Sequence, residues 1–318
     1  MKFQLYKLYR KTWQKIYAAN EWMISACVSL MEITTKTFIT YHIRPQSAEK
    51  HEYISGRDYV YPHSAIVIQG PVVVKNDFTL ETIRRYKKYF PQAIIILSTW
   101  DDIGATAYKQ IQREHIEMIL NKKPEFSGYK NINLQIISTA AGIMRAKSKG
   151  AEYILKTRTD QRFYHPHLLP FLYKTIESFP ISAVGTQQNN RLIFSSASKR
   201  SQYRLYDASD MMMFGHADDV DAYWKIQPLA MGTTLSVDAP EQHLMTAFLA
   251  RIGHEPMNTV DDSLYVFRHY CIILDLPALD FYWFKYERHK EYKDIRYTSD
   301  EPHTISFLEW LSLYADSK

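Results

Sequence analysis

Cysteine is scarce in this chain. Cys27 and Cys271 stand far apart and form no C-x-x-C pair, which argues against a disulfide framework and a structural zinc site and makes a reducing cytosol the default setting. No dense basic block and no nucleic-acid reader motif occurs, and a net charge of +5 is modest for 318 residues. No nucleic-acid partner is expected. Long apolar runs are missing too. In "EWMISACVSLMEI" the apolar stretch is closed by Glu21 and Glu32, short of the ~20 residues that span a bilayer. No small-residue cleavage site accompanies it, so it is not read as a secretory leader. After the first apolar run there is also no glycine-rich, basic loop of the kind that cradles a triphosphate.

Aromatic residues are plentiful: they make up 14% of the chain, with 24 tyrosines. Tyrosine suits polar clefts because it stacks and hydrogen-bonds with little rotamer entropy to lose. The N-terminal "MKFQLYKLYRKTWQKIY" mixes Lys2, Lys7, Arg10, Lys11 and Lys15 with Phe3, Tyr6, Tyr9, Trp13 and Tyr17. A basic, aromatic helix of this kind fits an anionic inner leaflet, and it equally fits packing against its own domain. Three segments are expected: a helical one at 1–45, a main domain at 62–290 and a helical tail at 291–318. "RPQSAEKHEYISGRDYVYPHS" (44–64) is the best linker, polar with two prolines and a glycine.

Beyond the linker the pattern alternates. "AIVIQG" (65–70) reads as a strand buried on both faces. "DFTLETIRRYKKYF" (77–90) sets Leu80, Ile83, Tyr86 and Phe90 on one helical stripe, and "AIIILST" (93–99) follows as a strand. "EYILKTR", "ISAVGT" and "MMMFG" are further strands; "ADDVDAYW", "APEQHLMTAFLARIG" and "TISFLEWLSLY" are helices, and Gly150 caps the helix of "AAGIMRAKSKG". The fold class is α/β, a mostly parallel central sheet with helices on both faces and an N-terminal helical extension. Ligands of such sheets sit at the carboxyl ends of the strands, where "QGP", "STWDD" and "KTRTDQR" fall.

Those ends hold the candidate chemistry. If extension continues, Lys156, Arg158 and Asp160 share a face. Asp160 can then hold a divalent cation against a nucleotide diphosphate while Arg158 pairs with phosphate oxygens. The competing reading is an ion pair of Asp160 with Arg158 or Arg162. Gln69, Gly70 and Pro71 close the first strand, where glycine allows close backbone approach. Trp100 offers a stacking ring, and Asp101 or Asp102 an acceptor or a helix N-cap. Glu241 reads either as part of a capping box with Asp238 or as a general base, with Asp210 in "SDMMMFG" the next candidate for that role.

"AIVIQGPVV…TLETIRRYKKYFPQAIIILSTWDD", "NLQIISTAAGIMRAKSKGAEYILKTRTDQRF", "SDMMMFG", "APEQHL" and "LDFYWFKY" occur in this order. Together they resemble the WavE family of lipopolysaccharide-synthesis proteins, which look like GT-A glycosyltransferases, over about residues 62–290. The resemblance implies a nucleotide-sugar donor and a glycan or glycolipid acceptor at the inner face of the bacterial cytoplasmic membrane. It puts Asp160 where such enzymes carry their metal-binding acid, with Mg2+ or Mn2+ as the implied ion. Arg158 replaces the first acid of that motif and is expected to share the diphosphate's charge. Arg145 is implied near the donor, Lys285 and Tyr286 over its phosphates, and Glu241 as the base. A sugar-nucleotidyltransferase and a non-catalytic scaffold of a glycan-assembly complex are the alternatives.

Overall fold

The computed structural model describes residues 2–36, 38–39, 44–48, 61–181, 183, 185–197, 204–233, 235, 237, 239–274, 277–286 and 304–315. They fall into two compact units, Met1–Arg44 and Pro45–Lys318. The first is built on one 34-residue helix, α1 (Lys2–Thr35), with Trp22, Leu30 and Ile33 exposed. No described helix is long and apolar enough to cross a membrane.

The second unit opens with three strand–helix repeats: β1 (Ser64–Gln69), α2 (Phe78–Tyr89), β2 (Ile94–Trp100), α3 (Ala105–Gln112), β3 (Glu117–Asn121) and α4 (Ile132–Ser148). Then come β4 (Tyr153–Arg158), β5 (Gln161–Phe163), α5 (Leu168–Ser178), β6 (Leu192–Phe194), β7 (Met213–His216) and α6 (Ala217–Trp224). The chain closes with α7 (Pro240–Arg251), α8 (Val260–Tyr270), β8 (Cys271–Ile273), β9 (Phe281–Trp283) and α9 (Phe307–Ala315). Seven strands make the main sheet in the order β3-β2-β1-β4-β7-β6-β8. Its first four strands pair in parallel, β7 runs antiparallel to both of its neighbours, and β6 and β8 are parallel. The α/β class with a mostly parallel sheet and an N-terminal helix is what the sequence leads one to expect.

All six residues of β1 are buried, as a strand covered on both faces requires. The stripe of α2 lies inward, with Leu80, Ile83, Tyr86 and Phe90 at most 5% exposed. Gly150, at φ +80°, follows the C-terminus of α4 as expected. "ISAVGT" is not a strand at its described residues; Gly185 takes φ +80°, which breaks an extended run. The strand role passes to the three residues of β6, too few to register as a period. The C-terminal segment packs into this unit: Trp310 is fully buried and its indole N–H donates to Phe267 O at 2.9 Å. Part of the expected linker is tied down as well. Arg162 and Arg85, both buried, donate to Gln46 O at 2.7 Å and Ser47 O at 2.9 Å; residues 49–60 lie outside the described residues.

One glycine fixes how closely α4 approaches the sheet. A Cβ on Gly142 would meet Val67 Cγ1 at 2.4 Å. In an open helix, glycine to alanine gains up to ~1 kcal/mol. Here Gly142→Ala should lower stability instead, by about 1–3 kcal/mol from overpacking. Chemical unfolding checks the sign.

Candidate active site

The chain steps from β1 outward to β2 and β3, then crosses back to β4 on β1's other side. That reversal makes the carboxyl ends of β1 and β4 a crevice, the position where open α/β sheets take ligands. Its floor is stitched together. Thr159 N donates to Gln69 O at 3.0 Å and Thr159 Oγ1 to Pro71 O at 2.6 Å, while Thr79 Oγ1 donates to Thr159 O at 2.9 Å. Gly70 adopts φ +117°, and a Cβ there would stand 3.0 Å from Thr159 Oγ1. Glycine thus serves the turn itself. Gln69 is buried and accepts from Ser138 Oγ at 3.0 Å, so it shapes the floor from beneath. Pro71 is exposed at the rim.

Strand β4 ends at Arg158, and Thr159–Asp160 form a turn into β5. Extension therefore does not carry on to Asp160, and the carboxylate turns back. Arg158 Nε donates to Asp160 Oδ1 at 3.0 Å and Nη2 to Oδ2 at 3.4 Å, while Trp283 Nε1 donates to Oδ2 at 3.0 Å. The small β5–β9 sheet brings Trp283 there by pairing it with Gln161, and Phe284 N donates to Asp160 O at 2.8 Å. "FYWFKY" thus lies beside Asp160, with Lys285 Nζ 5.9 Å from the centre of the Trp283 ring. The backbone of Tyr286 shares the same turn; its side chain lies outside the described residues.

Among the described residues the protein offers a divalent cation a single carboxylate here, with no second acid beside it. Asp160 already accepts from a guanidinium and an indole, and among the described residues no group of three or more His, Cys, Asp or Glu is placed to hold a metal. An ion on either oxygen would also sit beside the Arg158 charge. Like charges ~4 Å apart repel by about 4 kcal/mol per unit charge at an effective dielectric of about 20. The ion pair of Asp160 with Arg158 is present, and Arg162 is not its partner.

A second group of polar side chains lies buried close by. Lys156 is fully buried in β4; its ammonium donates to Asp210 O, lies 3.9 Å from Asp210 Oδ2 and sits 4.7 Å from the centre of the Trp224 ring. Burial lowers its pKa to about 8, and Arg158 lowers it too, against the carboxylates of Asp210, Glu241 and Asp160. Lys156 is therefore the element common to both groups. Glu241 stands at the second position of α7 and is partly buried. Burial first, then the Asp210 and Asp207 charges, raise its pKa to about 7, while Lys156 pulls it down. Around it, Asp210 Oδ2, the Tyr223 hydroxyl and the Trp224 indole N–H are buried without a hydrogen-bond partner among the described residues. Asp207 is anchored by its neighbour Tyr206, held at φ +57° with its hydroxyl donating to the buried Asp262 at 2.6 Å.

The helix cap is a different residue from the one expected. Ala239 is the N-cap, and its N–H donates to Gln242 Oε1 at 3.1 Å; Asp238 lies outside the described residues. Gln242 closes the box, and the Glu241 carboxylate accepts from its own backbone N–H instead. The remaining candidates disperse. Trp100 is only 3% exposed and offers no open ring. Asp101 is exposed, Asp102 pairs with Lys123, and Gly104 caps α3 in place of either. Arg145 binds Glu117 at 2.8 Å. Glu117 is the first residue of β3, so Arg145 lies at the amino end of the strands, away from the crevice. Sequence reasoning missed Asp207, Tyr223 and Trp283, and read Lys156 only as sharing a face with Arg158 and Asp160. Lys156 alone left a signal, a lysine inside a strand otherwise set for burial.

The family profile described as WavE lipopolysaccharide synthesis matches residues 64–246. Comparison with curated proteins finds no match. Among solved structures, 4-diphosphocytidyl-2C-methyl-D-erythritol synthase from Anaerococcus prevotii is 11% identical with a TM-score of 0.37, over 64% of this chain and 96% of its own. A glycosyltransferase involved in glycosylation of the major capsid of PBCV-1 is 12% identical with a TM-score of 0.33, over 61% and 80%.

Proposed function

This chain belongs to the WavE lipopolysaccharide synthesis family, and on that premise we propose that it is a glycosyltransferase. It moves a sugar from a nucleotide-sugar donor to a hydroxyl of a surface glycan or glycolipid. The observation that carries this reading is Glu241: a carboxyl held near pKa 7, sharing the buried Lys156 with the Arg158–Asp160 end of β4. A base poised near the working pH is what deprotonation of a hydroxyl requires, and a guanidinium is what a leaving diphosphate requires.

The step is short. The acceptor hydroxyl gives its proton to the Glu241 carboxylate as its oxygen bonds to the anomeric carbon. The bond from that carbon to the diphosphate oxygen breaks, and its electron pair leaves with the nucleoside diphosphate toward Arg158 and Lys285. Asp101 and Pro71, exposed at the ends of β2 and β1, are the residues proposed to meet the nucleoside. Product analysis tests the reading. Incubation with nucleotide-sugars and truncated glycan acceptors should release a nucleoside diphosphate. Release of pyrophosphate from a nucleoside triphosphate and a sugar phosphate would assign nucleotidyl transfer instead.

The first unit is proposed to seat the protein on the inner face of the cytoplasmic membrane. Its helix combines a basic, aromatic start with exposed Trp22, Leu30 and Ile33, the composition of an interfacial helix. Flotation of the full chain should show binding to anionic vesicles that weakens as salt rises. Equal binding to zwitterionic vesicles would count against the electrostatic part of this assignment.

A further inference from the structure

We infer that His254, Asp262 and Tyr206 are positioning residues, a hydrogen-bonded triad that holds the segment carrying Asp207 and Asp210 so that Asp210 meets the Lys156 ammonium. The inference rests on the transferase reading of the acids around Lys156, and adds to it three residues that the sequence did not single out.

Tyr206 is the unusual member. It is buried at φ +57°, a left-handed conformation that is sterically costly for a bulky side chain. Such strain persists only where the surroundings over-determine it, and here they do. The Tyr206 hydroxyl donates to Asp262 Oδ2 at 2.6 Å and accepts from Asn258 N at 2.8 Å, and Tyr206 N donates to Ser263 Oγ at 2.9 Å. Backbone and side chain are thus both fixed by residues at or just before the start of α8. Asp262 is buried in its turn, and His254 Nε2 lies 3.0 Å from its other oxygen, where a ring N–H can donate to the carboxylate. The His254 ring is stacked on Tyr265 at 5.7 Å. Beyond Tyr206 in the same segment, Asp207 pairs with Arg204 at 3.6 Å. Asp210 O then accepts from Lys156, with Asp210 Oδ2 3.9 Å from the same ammonium. One end of the segment is therefore fastened to α8 and the other to β4, and its two acids are held between them.

Carboxyl NMR on the full chain, isotope-labelled at glutamate and with Glu241 assigned through Glu241→Gln, tests this without recourse to activity. The groups that face Glu241 are Asp210 and Asp207 from this segment, Lys156 from β4 and the Tyr223 phenol from α6. Releasing the segment takes both acids away from Glu241 and leaves Lys156 to act on it, so its titration should move to lower pH. Tyr206→Phe removes one hydroxyl, keeps the ring and should show that move, with the rise of kcat/KM shifting in step. His254→Ala should act in the same direction. His254→Gln, whose amide still donates to Asp262, should restore the parental titration. Variants that melt lower but titrate as the parent does overturn the inference, because the triad then serves stability alone. Should Tyr206→Phe fail to fold, the two His254 variants decide. A parent that transfers no sugar would sink the transferase reading, and the NMR titration would still judge the triad.

Discussion

Replacing Glu241 by glutamine should slow sugar transfer by about a hundredfold or more with donor binding unchanged. Glutamine keeps the shape and cannot accept the acceptor's proton. The fold is not at risk, because Gln242 and Ala239 cap α7 without Glu241. Stability should move in the unusual direction. The folded pKa of about 7 lies above the ordinary glutamate value of 4.5, so between these values the native state binds more protons than the unfolded chain. Stability contributed by this group is full below 4.5 and falls as pH rises through 7. A shift of this size corresponds to a few kcal/mol. Glu241→Gln should therefore melt higher than the parent at pH 8 and lose that advantage near pH 4.5. In the parent, kcat/KM should climb with pH through about 7 as the carboxyl loses its proton. A normal transfer rate in the variant would remove Glu241 from the chemistry and put Asp210 forward.

Replacing Lys156 by methionine should cost about 3–5 kcal/mol, the range for breaking a buried ion pair from one side. Methionine keeps the apolar stem under Trp224 and removes the charge that balances Asp210 and Glu241. Because Lys156 lowers the Glu241 pKa, its loss should carry the rise of kcat/KM to higher pH. The sign of the linkage at Lys156 itself also distinguishes the two proteins. Its folded pKa of about 8 lies below the ordinary lysine value of 10.5, so between them the unfolded chain binds more protons and parental stability rises with pH. The variant should lack this rise. Urea unfolding at several pH values, with a pH–rate profile on the same preparations, separates these effects. An unchanged unfolding free energy and an unmoved profile would show Lys156 to be inert.

Much of the frame was legible along the chain. Residues 65–70, 93–99 and 152–158 declare themselves as strands because a parallel strand covered on both faces must be apolar nearly throughout. Helices at 77–90, 217–224 and 239–253 follow from their stripes and stops. With strands and helices alternating, the carboxyl ends of the strands were the place to look, and Arg158 and Asp160 lie at or just past the end of β4. The short strands β5, β6, β8 and β9 were not legible, since three residues carry no period. Nor was the true cap of α7, because Asp238–Glu241 and Ala239–Gln242 offer the same spacing and backbone geometry chooses between them.

The sequence by itself determined which segments are buried, and hence the sheet and the edge at which ligands meet it. Tertiary structure alone decided what each charged residue does there. Asp160 is claimed by Trp283, 123 residues away; Lys156 faces an aspartate 54 residues on; Arg145 is drawn to the far end of the strands by Glu117. Burial of an apolar strand is written in its local composition, because the hydrophobic effect is roughly proportional to area and indifferent to direction. Partnership and proton affinity arise from distances across the fold and from the water that burial removes, so the raised pKa of Glu241 exists only once the chain has buried it beside Asp210 and Asp207.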